Sequence, residues 1–115
     1  MAHAPLRIKR EGSDGARVLA PEGEIHLGTA PVLGAALREE LAGAPHLIVD
    51  LSDVEHLDST GLAVLLNAGR RLTRAGGRLS VVSPGGPPRR ILETTGLLDT
   101  LNVASSRAAA LERAR

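Results

Sequence analysis

The sequence contains no cysteine and no phenylalanine, tyrosine or tryptophan. The absence of cysteine excludes disulfides, thiolate catalysis and cysteine-based metal sites. Without aromatic rings, the core has to be packed with aliphatic side chains, and no ring can stack on a base or a sugar. With 14 basic and 13 acidic residues, the formal net charge is +1, which gives little long-range field for attracting nucleic acid.

The sequence also lacks the patterns of a metal site, a secretion signal and a membrane span. Its four histidines show neither the i, i+4 pairing nor the paired spacing of a zinc site. Residues 1–15 lack the apolar segment of a signal peptide, and the longest apolar run, near residues 62–66, is far too short to cross a bilayer. We therefore expect a cytoplasmic protein with no metal or cofactor, no direct contact with nucleic acid and no membrane insertion.

The length of 115 residues predicts a single domain, 1–115. Apolar patterns and turn residues predict the order β-β-α-β-α-β-α-β-α, an α/β fold with a mixed, mostly parallel sheet. We expect about five strands and about four helices. The predicted strands span residues 6–10, 17–20, 47–51, 79–82 and 101–103, and residues 21–23 are expected to end the second. A Ser or Thr is expected to cap three of the helices, at Thr29, Ser59 and Ser105.

Ser59 has the most informative position in this pattern. It follows a buried strand and opens the helix predicted over residues 59–75, so its hydroxyl is expected to accept a backbone hydrogen bond while remaining near solvent. Unpaired N–H groups and the positive end of the helix dipole gather there, so a phosphate on this hydroxyl is expected to find donors. By spacing alone, a purely structural cap, whose loss costs about 1 kcal/mol, is the more frequent meaning.

The residues around Ser59 resemble a known family. The segment LIVDLS at residues 47–52, followed by LDSTGL at residues 57–62, resembles the STAS domain, in particular that of bacterial anti-sigma factor antagonists. Residues 23–25 (GEI), 29–30 (TA) and 94–98 (TTGLL) match other landmarks of that family. The resemblance covers nearly the whole chain and implies a STAS-like fold.

The resemblance also implies a protein that switches between partners and is not an enzyme. In that family, the unphosphorylated protein binds an anti-sigma factor that is also a serine kinase, which frees a sigma factor. The kinase phosphorylates the serine directly after the aspartate, here Ser59, and a metal-dependent serine phosphatase removes the phosphate. We expect a monomer or weak dimer. The residues implied in partner binding are Glu24, His26, Thr29, Asp58, Ser59, Thr60, Gly61 and Leu62.

Four details of this resemblance lead to further expectations. Thr60 is a less favoured phosphate acceptor than Ser59. Gly61, which has no side chain, would let a kinase approach the serine closely. His26 stands where the family often has an acidic residue, and the loop at residues 83–90 is about two residues longer than usual. His26 and the longer loop bear on the choice of partner.

Other functions remain as alternatives. STAS-like domains also serve as scaffolds of stress-signalling assemblies and as accessory subunits of lipid or anion transporters. A nucleotide-binding protein is a weaker hypothesis, because the sequence has no phosphate-binding loop. The arginines at positions 70, 71, 74, 78, 89 and 90 are most simply a solvated surface, with a partner surface as the second interpretation.

Overall fold

The structure is a computed structural model that describes residues 5–13, 15–43 and 46–113. The strands of these residues are β1 (Arg7–Ser13), β2 (Ala16–Ile25), β3 (His46–Asp50), β4 (Asp53–Leu57), β5 (Arg78–Val82) and β6 (Val103–Ala104). Their helices are α1 (Ala30–Leu41), α2 (Ser59–Arg74), α3 (Gly86–Thr94) and α4 (Arg107–Arg113).

The six strands of the described residues form one mixed sheet. Its order is β1-β2-β3-β5-β6, and β4 pairs with β2 beside this path. β1 and β2 are antiparallel, whereas the other pairs are parallel. β2 pairs with β3 through residues 17–19 and with β4 through residues 22–25. The predicted α/β class and the mostly parallel sheet are confirmed.

Two predictions about the strands were wrong. β2 continues through Pro21, because this residue lies between the segments that pair with β3 and with β4. A proline without an N–H is tolerated where no ladder bond is required of it. β4 was not predicted at all, because its five residues include two buried positions, Val54 and Leu57, and show no clear alternation.

The core consists of aliphatic side chains on both faces of the sheet, as the composition predicts. Successive residues of a strand point to opposite faces, so Leu47 and Val49 of β3 join the larger cluster while Ile48 joins the smaller one. The larger cluster takes residues from α1, α2 and α3, and the smaller one takes Ala110 from α4. All of β3 is buried, as its continuous apolar run predicts.

Asp50, at the carboxyl end of β3, joins α4 to the sheet. Its carboxylate accepts from the Nε of Arg107 at 2.6 Å and from the hydroxyl of Ser52 at 2.5 Å. Burial alone would raise the pKa of Asp50, but these hydrogen bonds outweigh it and hold that pKa below its ordinary value. The chain that leads from β3 into β4 is therefore firmly held.

Two predicted helix caps were also wrong. The hydroxyl of Thr29 does not cap α1, although Thr29 occupies the N-cap position. The cap of α4 is Ser106 instead of Ser105, because its Oγ accepts from the N–H of Ala109 at 3.1 Å. The hydroxyl of Thr29 is used in the loop before α1, where it bears on the functional site.

Candidate functional site

β2 and β4 end side by side, and the predicted site follows their carboxyl ends. In the parallel register Ile25 lies opposite Leu57. The N–H of Asp58 donates to the carbonyl of Ile25 at 3.1 Å, which extends the pairing by one bond. β2 then enters the loop at residues 26–28, and β4 enters α2. The loop and the start of α2 therefore leave the sheet next to each other.

Asp58 is the N-cap of α2. Its Oδ1 accepts from the N–H of Thr60 at 2.9 Å and from the N–H of Gly61 at 3.1 Å. Its backbone is extended, with φ −107° and ψ −176°, as is typical of an N-cap. The prediction that Ser59 is the cap was therefore wrong. Two of the predicted donors for a phosphate on Ser59, the N–H groups of Thr60 and Gly61, are already bonded to the carboxylate of Asp58.

Ser59 is the first residue of α2, and its side chain is exposed. Within the described part of the chain, no group is hydrogen-bonded to its hydroxyl. Thr60, the alternative acceptor, is half-buried. A modifying enzyme has to reach an exposed hydroxyl that has no internal partner, and the Ser59 hydroxyl meets this requirement.

Gly61 faces the interior and not the solvent. A Cβ at this position would lie 2.5 Å from the Cδ1 of Leu57 and 2.6 Å from the Cγ2 of Ile25. The missing side chain therefore lets α2 approach the paired ends of β2 and β4. The interpretation that Gly61 opens a path for a kinase was wrong. Leu62 is 5% exposed and belongs to the core. Gly61 and Leu62 therefore lie in the interior beneath the site.

The loop at residues 26–28 is fixed by its own hydrogen bonds. The Oγ1 of Thr29 donates to the carbonyl of Glu24 at 2.7 Å and accepts from the N–H of His26 at 3.0 Å. The Nδ1 of His26 accepts from the N–H of Gly28 at 3.0 Å. An acidic side chain at position 26 could accept the same bond, as in an Asx turn. Histidine therefore forms this turn without adding a negative charge. The hydrogen bonds of the buried Thr29 stabilise the loop.

Leu27, at the tip of this loop, is a surface residue that the sequence interpretation did not single out. It is 76% exposed, more than any other large apolar side chain among the described residues. Leu27 lies two residues beyond Ile25, just as Ser59 lies two residues beyond the opposite residue Leu57. We use the term Ser59 surface for Glu24, Leu27, Asp58 and Ser59. The missed strand β4 explains why Leu27 was missed, because its pairing with β2 places the loop beside Ser59.

The described residues contain no group of three or more histidine, aspartate or glutamate side chains that could hold a metal ion. None of the helices in the described ranges has the length and apolar character that crossing a membrane requires. The chemistry of the Ser59 surface is thus that of one hydroxyl, two carboxylates and one apolar side chain.

Comparison with known proteins gives consistent matches. Residues 7–110 match the STAS domain family. The anti-sigma-F factor antagonist RsfB of Mycobacterium tuberculosis is 36% identical over 94 residues, which cover 81% of this chain and 76% of that protein. The crystal structure of an anti-sigma factor antagonist from Mycobacterium paratuberculosis has a TM-score of 0.89 and 35% identity, and the match covers 99% of both chains.

A transporter also matches. The putative sulfate transporter YvdB of Bacillus subtilis is 32% identical over 94 residues, which cover 81% of this chain but 18% of the transporter. This chain therefore resembles one small part of that protein. The family match at residues 7–110 includes all of the Ser59 surface.

Proposed function

The chain belongs to the STAS-domain family of anti-sigma factor antagonists, and from this premise we propose that it binds an anti-sigma factor and thereby frees a sigma factor. Phosphorylation of Ser59 by that anti-sigma factor, acting as a serine kinase, ends the binding. A metal-dependent serine phosphatase restores the hydroxyl. The observation that supports this proposal best is the exposed Ser59 hydroxyl at the start of α2, which leaves the sheet next to the loop that carries the exposed Leu27.

The Ser59 surface has the features of a small docking site. Leu27 offers an apolar side chain whose burial against a partner contributes about 1.5–3 kcal/mol. The bonds of Thr29 and His26 hold the loop in one conformation, so little conformational entropy is lost on binding. Glu24, near the end of β2, and Asp58, at the start of α2, add negative charge to this surface. A partner surface with an apolar pocket and basic side chains around it would be complementary.

A phosphate on Ser59 acts mainly on the partner and not on the fold. It adds about −1.5 to −2 charges to a surface that already carries Glu24 and Asp58. The carboxylate of Asp58 holds the N–H groups of Thr60 and Gly61, so the phosphate projects toward solvent. A basic partner surface neutralises this charge only in part, and the added bulk stands where the partner has to approach. We expect loss of binding without refolding.

The direct test is phosphorylation of the purified protein by its cognate anti-sigma factor kinase and ATP, followed by mass spectrometry. One phosphate is expected on Ser59. Ser59→Ala should acquire none, whereas the matched control Thr60→Val should still acquire it. Phosphate on Thr60, or on neither residue, would contradict the proposal.

The same partner provides the binding test by isothermal titration calorimetry. Ser59→Ala should bind about as tightly as the wild type, and Ser59→Asp should bind at least about tenfold more weakly, a difference of about 1.4 kcal/mol. Leu27→Ala should weaken binding, whereas Val32→Ala, at the other exposed apolar position, should not. Equal affinity of Ser59→Asp and the wild type would refute the switch.

A second candidate function is an accessory part of an anion or lipid transporter, which the similarity to YvdB favours. A scaffold of a stress-signalling assembly is a third. A pulldown from native extract distinguishes them, because the antagonist retrieves a serine kinase and the accessory subunit retrieves a membrane transporter. Sedimentation as a monomer or weak dimer supports the antagonist, and a large particle supports the scaffold.

A further inference from the structure

A separate groove lies at the other end of α2. It has a volume of about 360 Å³ and is bounded by α2, the start of β5 and residues 100–102. Small-molecule sites have volumes of about 300–1,000 Å³, so the groove can hold a small ligand. With a rise of about 1.5 Å per residue, the end of α2 lies roughly 20 Å from Ser59. The groove is therefore distinct from the Ser59 surface.

The rim of the groove carries unneutralised positive charge. Arg70, Arg74 and Arg78 line it, and no acidic residue is among its lining residues, all of which lie in the described ranges. The arginines at positions 10, 17, 89 and 107 are paired with carboxylates, whereas those at positions 7, 38, 71, 90 and 113 are in none of the ion pairs of the described ranges. None of the ion pairs within the described ranges includes an arginine of the groove.

Arg78 has a backbone contact and an electrostatic effect nearby. Its Nη1 donates to the carbonyl of Arg113 at 2.8 Å, which leaves other guanidinium N–H groups for a ligand. Burial lowers the pKa of His46, and the charge of Arg78 lowers it further. The charge of Arg78 thus acts on its neighbour His46, and none of the ion pairs in the described ranges includes Arg78.

The floor of the groove is apolar. Leu79 and Leu101 lie beneath it and are 4% and 2% exposed, and the half-buried Leu66 borders it. Gly69 has no side chain above Leu79, whose Cδ2 would lie 3.4 Å from a Cβ at that position. Glycine weakens a helix interior relative to alanine, so the absence of a side chain at Gly69 lowers the stability of α2. The side-chain amide of Asn102 fixes the opposite wall by donating to the carbonyl of Leu79 at 2.9 Å.

We propose that this arginine groove, with Arg70, Arg74 and Arg78 above Leu66, Leu79 and Leu101, binds a small anion that carries a hydrocarbon portion. The guanidinium groups hold a phosphate or carboxylate group, to which their planar N–H donors are well matched. The hydrocarbon packs against Leu66 and against the small parts of Leu79 and Leu101 that the groove exposes. A free amphiphile and an anionic lipid both have this chemistry.

The test uses octyl phosphate as the probe, with inorganic phosphate and the uncharged octyl glucoside as comparisons. The chain has no tryptophan or tyrosine, so binding is followed by NMR of ¹⁵N-labelled protein at probe concentrations below micelle formation. Saturable shifts at the amides of Gly69, Leu101 and Asn102 are expected with octyl phosphate, with a lower dissociation constant than for either comparison. Equal binding of octyl glucoside, or no saturable shift, would overturn the proposal.

Variants separate the groove from general surface charge. R70Q/R74Q should raise the dissociation constant of octyl phosphate at least about tenfold. R38Q/R71Q removes the same charge outside the groove and should leave the constant unchanged. Unchanged melting temperatures verify that both variants fold. If both variants lose binding equally, the charge and not the groove is recognised, and the proposal fails.

Vesicles distinguish the two sources of the ligand. Co-sedimentation with phosphatidylglycerol vesicles but not with phosphatidylcholine vesicles, lost in R70Q/R74Q, identifies an anionic lipid in a bilayer. Binding of octyl phosphate without vesicle binding identifies a free amphiphile. Vesicle binding that R70Q/R74Q retains would count against the groove. Ser59→Asp should bind octyl phosphate and vesicles as the wild type does. Failure of the groove proposal can therefore be distinguished from failure of the phosphorylation proposal.

Discussion

At its amino end, α2 lies so close to the sheet that Gly61 has no room for a methyl group, whereas near its carboxyl end Gly69 borders an open groove. The amino end is capped by a carboxylate, and the carboxyl end carries uncompensated arginines. The same residue type thus has two uses in one helix. At Gly61, glycine permits close packing beneath the exposed hydroxyl of Ser59. At Gly69, glycine leaves space in the groove for a ligand.

Alanine at the two glycines tests this difference most strongly. Gly61→Ala should lower the free energy of unfolding by about 1–3 kcal/mol, because the added methyl group overlaps Ile25 and Leu57. Gly69→Ala should leave it unchanged or raise it by up to about 1 kcal/mol, because alanine favours a helix and its Cβ meets Leu79 at 3.4 Å. Urea unfolding followed by circular dichroism measures both. Equal effects would mean that the two ends are packed alike.

Removal of the cap should have the next largest effect. Asp58→Ala should lower the free energy of unfolding by about 1 kcal/mol, because the N–H groups of Thr60 and Gly61 lose their acceptor. Asp58→Asn should retain most of the stability. The matched control is Ser59→Ala, expected within about 0.5 kcal/mol of the wild type. A larger loss for Ser59→Ala than for Asp58→Ala would restore Ser59 as the cap.

Lowering the pH should reduce the stability of the protein through a histidine beside Arg78. His46 is buried beside Arg78, and its ring Nε2 lies 3.0 Å from the hydroxyl of Ser80. Burial and the charge of Arg78 lower its pKa in the folded protein, so the unfolded chain binds the proton more readily. Stability should therefore be present in full above the ordinary histidine pKa of about 6.5 and decrease as the pH falls through it.

Thermal unfolding at several pH values measures this dependence. His46→Gln should flatten the curve between pH 7 and pH 5, because glutamine carries no proton to gain. A dependence that persists unchanged in this variant would assign the effect to another group.

The smallest effect is expected for Ser59→Asp on stability itself. The helix dipole favours a negative charge at this position and Asp58 disfavours it, so the free energy of unfolding should change by no more than about 0.5 kcal/mol. Thermal melting monitored by circular dichroism is sufficient. A large loss of stability would show that a charge at Ser59 acts by altering the fold instead of the partner's approach.

Several features could be predicted because they depend on neighbours in the chain. The buried strand β3 follows from its continuous apolar run, and α2 follows from leucines at helical spacing that ends at Gly76. The predicted helix over residues 59–75 differs from the observed Ser59–Arg74 by one residue. β4 has too few apolar residues for such a pattern and becomes a strand through its pairing with β2.

The choice of cap could not be made from residue type alone. Asp58 and Ser59 are both good N-cap residues, and the helix begins at Ser59, one residue earlier than a serine cap would require. The bond from the N–H of Asp58 to the carbonyl of Ile25 keeps Asp58 in extended conformation, which makes it the cap. The position of Ser59 just inside the helix, with its hydroxyl outside, is a consequence.

By itself, the amino-acid sequence determined the aliphatic core, the α/β class and the family resemblance around Ser59, because each depends on composition or on residues close together in the chain. Tertiary structure alone decided that the loop carrying Leu27 leaves the sheet next to the start of α2, that Gly61 faces inward and that three arginines line one groove. Each of these arrangements arises where separate segments meet. Its geometry depends on strand register and packing distance, which no local pattern of residues specifies.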